Sequence, residues 1–246
     1  VLGRDDATGL VLLRAASDAV RPARLAGDRS VRVGEWVVAV GRGDTSAPWA
    51  ATGVVASLGG WGQDGGGTKR AGLIATSMAI PRAAEGGALM DRDGHVVGIL
   101  AGAPAGGTLA VPIDLARDVA TELGRTGVAA HGRLGVRAVD SDTPRGAAIT
   151  EVLAGSAAAG AGVQVGDVVV RVADVPVGDT AALVSEISRR KPDDKVDVHV
   201  RRAGKALTVR VRLDRAPVVP DGTAAAGTTS TTVSPAGTAT PLAAGG

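Results

Sequence analysis

The chain has 246 residues, enough for one large or two small domains, each with a core of its own. It is 45% hydrophobic and 21% charged, with 37 Gly, three Trp and no Phe, Tyr or Cys, so its cores must be built from Val, Leu, Ile and Ala. Disulfides, thiolate metal sites and a cysteine nucleophile are excluded, and a net charge of +2 without a basic block interleaved with aromatics gives nucleic acid no footprint.

Short apolar runs come first. "LVLL" at 10–13 predicts a buried strand, followed by "GEWVVAVG" at 34–41, "ATGVVASLGGWG" at 51–62 and "GLIATSMAI" at 72–80. "GGALMD" at 86–91, "HVVGIL" at 95–100 and "TLAVPI" at 108–113 complete the run. Strands at roughly 8–12-residue spacing with Gly-rich turns between them indicate an all-β barrel or sandwich. "DLARDVATELG" at 114–124 instead has helical periodicity, with Asp114 as the expected N-cap and Gly124 at the C-terminal turn. A linker, "RTGVAAHG", follows. A second pattern begins at "RLGVRAV", 133–139, and continues with "AAITEVL" at 147–153 and a short helix capped by Ser156. The strand in "GDVVVRVADVPV" comes next, then a helix capped by Asp179 and stopped by Pro192. Residues 194–213 alternate strictly on both arms of a hairpin turning at Ala203-Gly204. From about 216 onward Ala, Thr, Gly, Pro and Ser dominate, the composition of a disordered tail.

Several motifs lead nowhere. "DRDG" starts like a calcium loop, but His95 and Gly102 stand where oxygen ligands are needed. "RGD" at 42–44 reads as a turn. His95, His131 and His199 are far apart, with no metal-ligand spacing to one another or to a carboxylate. Glu85, just before Gly86 and Gly87, has no partner carboxylate for acid–base work, because strand geometry carries Asp91 and Asp93 away from its loop.

Read in order, "TGLVLLRA", "LAGDRSVRVGEWVVAVG", "ATGVVASLG", "IATSMAI", "EGGALMDRDGHVVGI" and "LAVPIDL" resemble the second half of a trypsin-like serine protease of the HtrA type. "RLGV", "GAAITEVLAGSAAAGAGVQVGDVVVRVADVPV", "LVSEI" and "VRRAGKALTVRVRL" resemble the PDZ domain that follows it. The resemblance covers about 1–214 and implies a mainly β fold: a chymotrypsin-like β-barrel domain with its first barrel incomplete, then an α+β PDZ domain. The domains expected are 1–127, 128–215 and a tail at 216–246.

The family's nucleophile loop, roughly N-P-G-N-S-G-G-P-L, falls on residues 81–89, so Glu85 stands at the serine and Ala83 at the oxyanion-hole glycine. Its aspartate falls on Gly9; Asp5 and Asp6 lie too early to replace it. The family's histidine lies upstream of Val1. The resemblance therefore implies a catalytic set with no intact member in view, no cofactor and no metal. In the PDZ part it implies that amides of Leu134, Gly135 and Val136 nest a terminal carboxylate, with Arg133 reading equally as an added attraction or as an exposed Arg without that role. Val136, Leu183 and Ile187 would line a pocket for the terminal apolar side chain, Ile187 reading equally as core. By the same resemblance the Gly-rich loop 59–67 falls where the family carries a regulatory surface loop, which implies flexibility there and not a regulatory role.

The expected partners are extended or C-terminal peptides, with homo- or hetero-oligomers as a further expectation and an extracytoplasmic, envelope-associated location. No apolar run reaches the roughly 18 residues of a membrane helix. A chain that starts with Val and shows no signal-peptide pattern suggests a fragment or processed form, so membrane attachment is expected only through an upstream anchor. Three readings stand open: a non-cleaving peptide binder for quality control or scaffolding, an active serine endopeptidase, and a structural subunit of active homologues.

Overall fold

The computed structural model describes residues 1–15, 21–27, 31–43, 47–64, 66–103 and 107–216. The compositional tail beyond 216 and Asp44 of the RGD tripeptide lie outside the described residues. A two-stranded sheet, β1 (Gly3–Asp5) with β2 (Leu10–Leu12), opens the chain. Then come β3 (Trp36–Arg42), β4 (Pro48–Gln63), β5 (Lys69–Thr76), β6 (Ala88–Asp91), β7 (Val96–Gly102) and β8 (Thr108–Pro112). These six close into an antiparallel barrel in the order β3-β4-β5-β8-β7-β6. Closure leaves no free edge and turns alternate side chains inward. The filling is as aliphatic as composition required: Val37, Val55, Leu89, Leu100 and Val111 are all almost fully buried.

The "LVLL" segment corrects the expectation of a buried strand. Val11 and Leu13 are 40% and 65% exposed, because β2 pairs only with β1 and lies outside the closed barrel. Its inward residues, Leu10 and Leu12, pack instead on Val119, Leu123 and Ala129. Val119 and Leu123 belong to α1 (Ile113–Thr126), which starts two residues earlier than expected, with Pro112 rather than Asp114 as N-cap and Asp114 within the first turn. It runs past Gly124 and stops at Gly127, which takes the left-handed conformation.

Next come β9 (Gly132–Arg133), β10 (Val136–Asp142), β11 (Arg145–Val152), α2 (Ala157–Ala161), β12 (Val168–Val172), β13 (Val175–Pro176), α3 (Thr180–Ser188), β14 (Lys195–Arg202), β15 (Lys205–Arg212) and β16 (Asp214–Arg215). The main sheet has the order β10-β11-β12-β14-β15, with β13 paired to β12, while β16 pairs with β9. Val196, Val198 and Val200 face inward from β14, and Asp197, His199 and Arg201 face out, as period-two patterning demands. The turn at Ala203 and Gly204 has positive φ at both residues, which matches the right-handed twist of the arms. Ser156 Oγ accepts the Ala159 amide and an Asp179 carboxylate oxygen accepts the Ala182 amide, so both expected caps form. α3 ends at Ser188, before Pro192, its last turn closed by backbone bonds from Arg189 and Arg190.

Candidate functional site

The nucleophile-like loop starts from Pro81, which fixes an extended entry into a 3-10 turn over Arg82–Ala84. Ala84 is buried and Glu85 then extends the chain toward Gly86. The Gly86 amide bonds the Leu100 carbonyl at 2.8 Å and the Leu100 amide returns to Gly87 at 2.9 Å, so the loop is stapled to β7. An acyl-transfer site needs two amides aimed at one point, here those of residues 83 and 85. The Glu85 amide instead donates to the Arg82 carbonyl at 3.1 Å, and Ala83 lies inside the turn with ordinary φ. The pair is therefore not presented.

Gly9 closes the turn after β1, its amide bonding the Asp5 carbonyl at 2.8 Å and its φ at +76°. Arg70 of β5 fills the space beside it. Its guanidinium grips Asp64 at 2.7 Å and the carbonyls of Asp6 and Ala7, and its side chain is only 10% exposed. A Cβ built on Gly9 would lie 2.8 Å from Arg70 Nη2. Thus a cation fills the space that a side chain at residue 9 would take. Gly9 and Glu85, far apart in sequence, do line one cavity of about 420 Å³, together with Asp64, Leu10, Ile99 and Leu100. Among the described residues, no Ser, Cys or His lines it; its one hydroxyl, Thr8 Oγ1, is bonded to Asp5.

Asp5 is not a substitute aspartate for that cavity. It is 4% exposed and its carboxylate turns to Thr8 and, at 2.9 Å, to Nε2 of His131. Burial pushes the Asp5 carboxyl up, but the hydrogen bonds from His131 and Thr8 outweigh it and hold the carboxyl below its usual range. Asp91, Asp93 and His95 correct the reading of their spacing, since their ligating atoms lie within 4.8 Å of one another. They form the β6–β7 turn, where an Asp91 oxygen accepts the amides of Asp93 and His95, each at 2.9 Å.

A second cavity, about 310 Å³, lies between β10 and α3. Leu134, Gly135, Val136, Leu183 and Ile187 all line it. Leu183 and Ile187 also belong to the hydrophobic core behind, so Ile187 is both wall and core. The Leu134 carbonyl accepts from Ala158 and the Gly135 carbonyl from Leu153, while the amides of Leu134 and Gly135 have no partner among the described residues. Two free adjacent amides at one end of an apolar groove form a concavity for an anion. β10 is the end strand of its sheet, so its outer edge is open along the same groove.

Two further lining residues come from the barrel and carry no signal in the PDZ-like sequence: Trp61 of β4 and Lys69 of β5. Trp61 Nε1 donates to Thr180 Oγ1 at 3.2 Å, and Thr180 donates through Oγ1 and its amide to Asp140 on β10. Lys69 Nζ stands 4.7 Å from the centre of the Trp61 ring. The Gly-rich hairpin thus leans its stem on the N-terminal end of α3.

Comparison with known proteins agrees with this architecture. A trypsin-like peptidase domain family matches residues 1–99 and a PDZ domain family matches 132–213. The periplasmic pH-dependent serine endoprotease DegQ of Escherichia coli (strain K12) is 33% identical over 231 residues, covering 87% of this chain and 50% of that protein. Serine endoprotease DegS of Haemophilus influenzae is 31% identical, covering 89% and 66%, and serine protease PepD of Mycobacterium tuberculosis is 32% identical, covering 88% and 51%. The chain spans about half the length of most of these curated relatives. Among solved structures, the HtrA-type protease AlgW with tripeptide aligns with a TM-score of 0.69 at 25% identity, over 90% of this chain and 78% of that one. A barrel of trypsin-like order, a nucleophile-type loop stapled to β7 and a PDZ sheet with its groove, in this sequence order, make the chain a member of the HtrA-type, trypsin-like serine protease family with a C-terminal PDZ domain.

Proposed function

We propose that this protein captures extended or C-terminal peptides in its PDZ groove without cleaving them, acting in protein quality control or scaffolding of the bacterial envelope. The observation that carries the reading is the contrast between the two cavities. One has Glu85 at the nucleophile position with its amide spent on Arg82. The other keeps two free amides, an open strand edge and apolar walls. A peptide adding to β10 would gain main-chain hydrogen bonds along the edge, place its carboxylate on Leu134 and Gly135, and bury its last side chain against Val136, Leu183 and Ile187. AlgW has been solved with a tripeptide and a decapeptide, and several relatives are named as periplasmic, which supports both the ligand class and an extracytoplasmic location. The functional units in this reading are 1–127, 128–215 and the tail 216–246, with homo- or hetero-oligomers as the assembly.

Titration of the full chain with a C-terminal peptide library tests the binding half; absence of saturable binding by any member sinks it. The non-cleaving half predicts no labelling by a fluorophosphonate probe. It further predicts that Glu85→Ser combined with Gly9→Asp stays unlabelled. The new aspartate would start from a positive-φ backbone against Arg70, and the residue-85 amide would remain bonded within its turn. Labelling of either protein would overturn this half and leave the binding half standing.

A further inference from the structure

His131 lies where three elements meet. Its Nε2 is 2.9 Å from Asp5 Oδ1 on β1, and its Nδ1 is 2.8 Å from the carbonyl of Ser188, the last residue of α3. Both neighbours can only accept: one is a buried carboxylate, the other a backbone carbonyl. A neutral imidazole has one N–H, and its other nitrogen offers a lone pair. Either neutral tautomer would therefore set a lone pair against an acceptor at under about 3 Å, a contact that costs rather than stabilises. The imidazolium alone donates to both. The side chain is 11% exposed, so water cannot readily take over either bond.

From this arrangement we propose that His131 is a proton-operated latch, holding α3 of the PDZ domain against β1 of the barrel domain while charged and loosening that seam when it loses its proton. The latch bears on the groove because Ser188 and Ile187 line it from α3. The charged groups around the imidazole are Asp5 from β1, Asp118, Glu122 and Arg125 from α1, and Arg189 and Lys191 just beyond α3. The Arg189–Asp114 ion pair, 2.6 Å, and the Trp61–Thr180 bond span the same seam and persist there, so release means loosening rather than separation.

The direction of the pH dependence follows. The hydrogen bond to Asp5 raises the His131 pKa above the usual 6.5, against the opposing effect of burial and with help from the Ser188 carbonyl and Glu122. Its contribution is fully present below 6.5 and is lost as pH rises through the raised value. Asp5, held below 3.8, contributes above that value and fails only as pH falls through its lowered one. The latch is shut below the usual histidine value and opens only as pH rises through the raised one.

The absence of native cysteine makes the test direct. Cysteines replacing Arg92 and Lys205, both at exposed hairpin turns, one on each domain, carry spin labels in the full chain. Interdomain distances are then measured at about pH 5.5 and about pH 8.5. The expected result is one narrow distribution at the lower pH and a broad one at the higher. His131→Gln and Asp5→Asn should each give the broad distribution at both. An unchanged distribution in the otherwise native chain, or a narrow one in folded His131→Gln, overturns the proposal. Should either variant fail to fold, ring-nitrogen NMR titration of His131 in the native chain decides: a pKa above 6.5 supports the latch, and one at or below 6.5 overturns it. No peptide enters these measurements, so they stand apart from the peptide-binding reading.

Discussion

Gly135→Ala is expected to weaken binding of a C-terminal peptide at least tenfold while the rest of the PDZ sheet stays folded. Gly135 has φ +78°, and a Cβ there would lie 2.3 Å from Ser156 Cβ and 2.9 Å from Ser156 Oγ. The backbone conformation alone costs a non-glycine residue about 1–2 kcal/mol. Ser156 cannot step aside cheaply, because it is the N-cap of α2 and its Oγ holds the Ala159 amide. The strain must then be relieved by rotating the 134–136 backbone, the segment whose free amides would meet the carboxylate. A loss of about 1.4 kcal/mol in binding corresponds to the tenfold change. Fluorescence polarisation with one labelled peptide measures it, and thermal melting verifies the fold. Amidating the peptide's C-terminus should cost the native protein a similar factor. Native-like affinity in folded Gly135→Ala would remove the carboxylate nest from the mechanism.

How much of this site could be read beforehand depended on the range of the interactions. Leu134, Gly135, Val136, Leu183 and Ile187 form one wall system because local periodicity places them: a turn before an edge strand, and one stripe of α3. Glu85 and Gly9 line one cavity because the β1–β2 turn lies beside the loop that precedes β6. What could not be read were bonds between distant segments. Arg70 reaches across more than 60 positions to Asp6 and Ala7, and His131 across 126 to Asp5. Neither pair has a local pattern, and Trp61 looks in sequence like any strand residue until α3 is found beneath it. The errors at α1 are of another kind. Asp114 looked like a cap, but the chain is already helical at Ile113, and Asp114 serves Arg189 across the seam.

In the non-cleaving reading we propose, positions 9 and 85 constrain each other physically. A serine at 85 would need a base, an orienting carboxylate and two convergent amides. The carboxylate's place is crowded by Arg70, whose charge is already neutralised by Asp64, and one of the amides is closed into a 3-10 turn. Each departure removes a different requirement, so reversing one leaves the others missing. The groove shows the opposite coherence: edge strand, free amides and apolar wall all favour the same ligand.

Asp167 supplies the second large expected effect, because the groove depends on a network behind it. Asp167 is fully buried at the start of β12 and grips Arg202 with both oxygens, at 2.6 and 2.7 Å, while also accepting the Gln164 amide at 2.9 Å. Arg202 in turn donates to the Gly162 carbonyl that ends α2. α2 begins at Ser156, the residue packed against Gly135. Asp167→Ala is therefore expected to destabilise the PDZ domain by about 3 kcal/mol, the lower end for removing one partner of a buried pair, since Arg202 can swing toward solvent. Burial pushes the Asp167 carboxyl up, yet the Arg202 guanidinium and the Gln164 amide more than offset it and hold its pKa below 3.8. The stabilisation is thus present above 3.8 and lost as pH falls through the lowered value. Urea unfolding of the native chain and Asp167→Asn should show a constant gap from neutral to mildly acidic pH that closes in strong acid. A gap within about 0.5 kcal/mol at neutral pH, the scale of a surface change, would show that the network contributes nothing. With the network intact in one protein and broken in the other, peptide affinity should fall along with stability, because α2 would no longer hold Ser156 against the Gly135 turn.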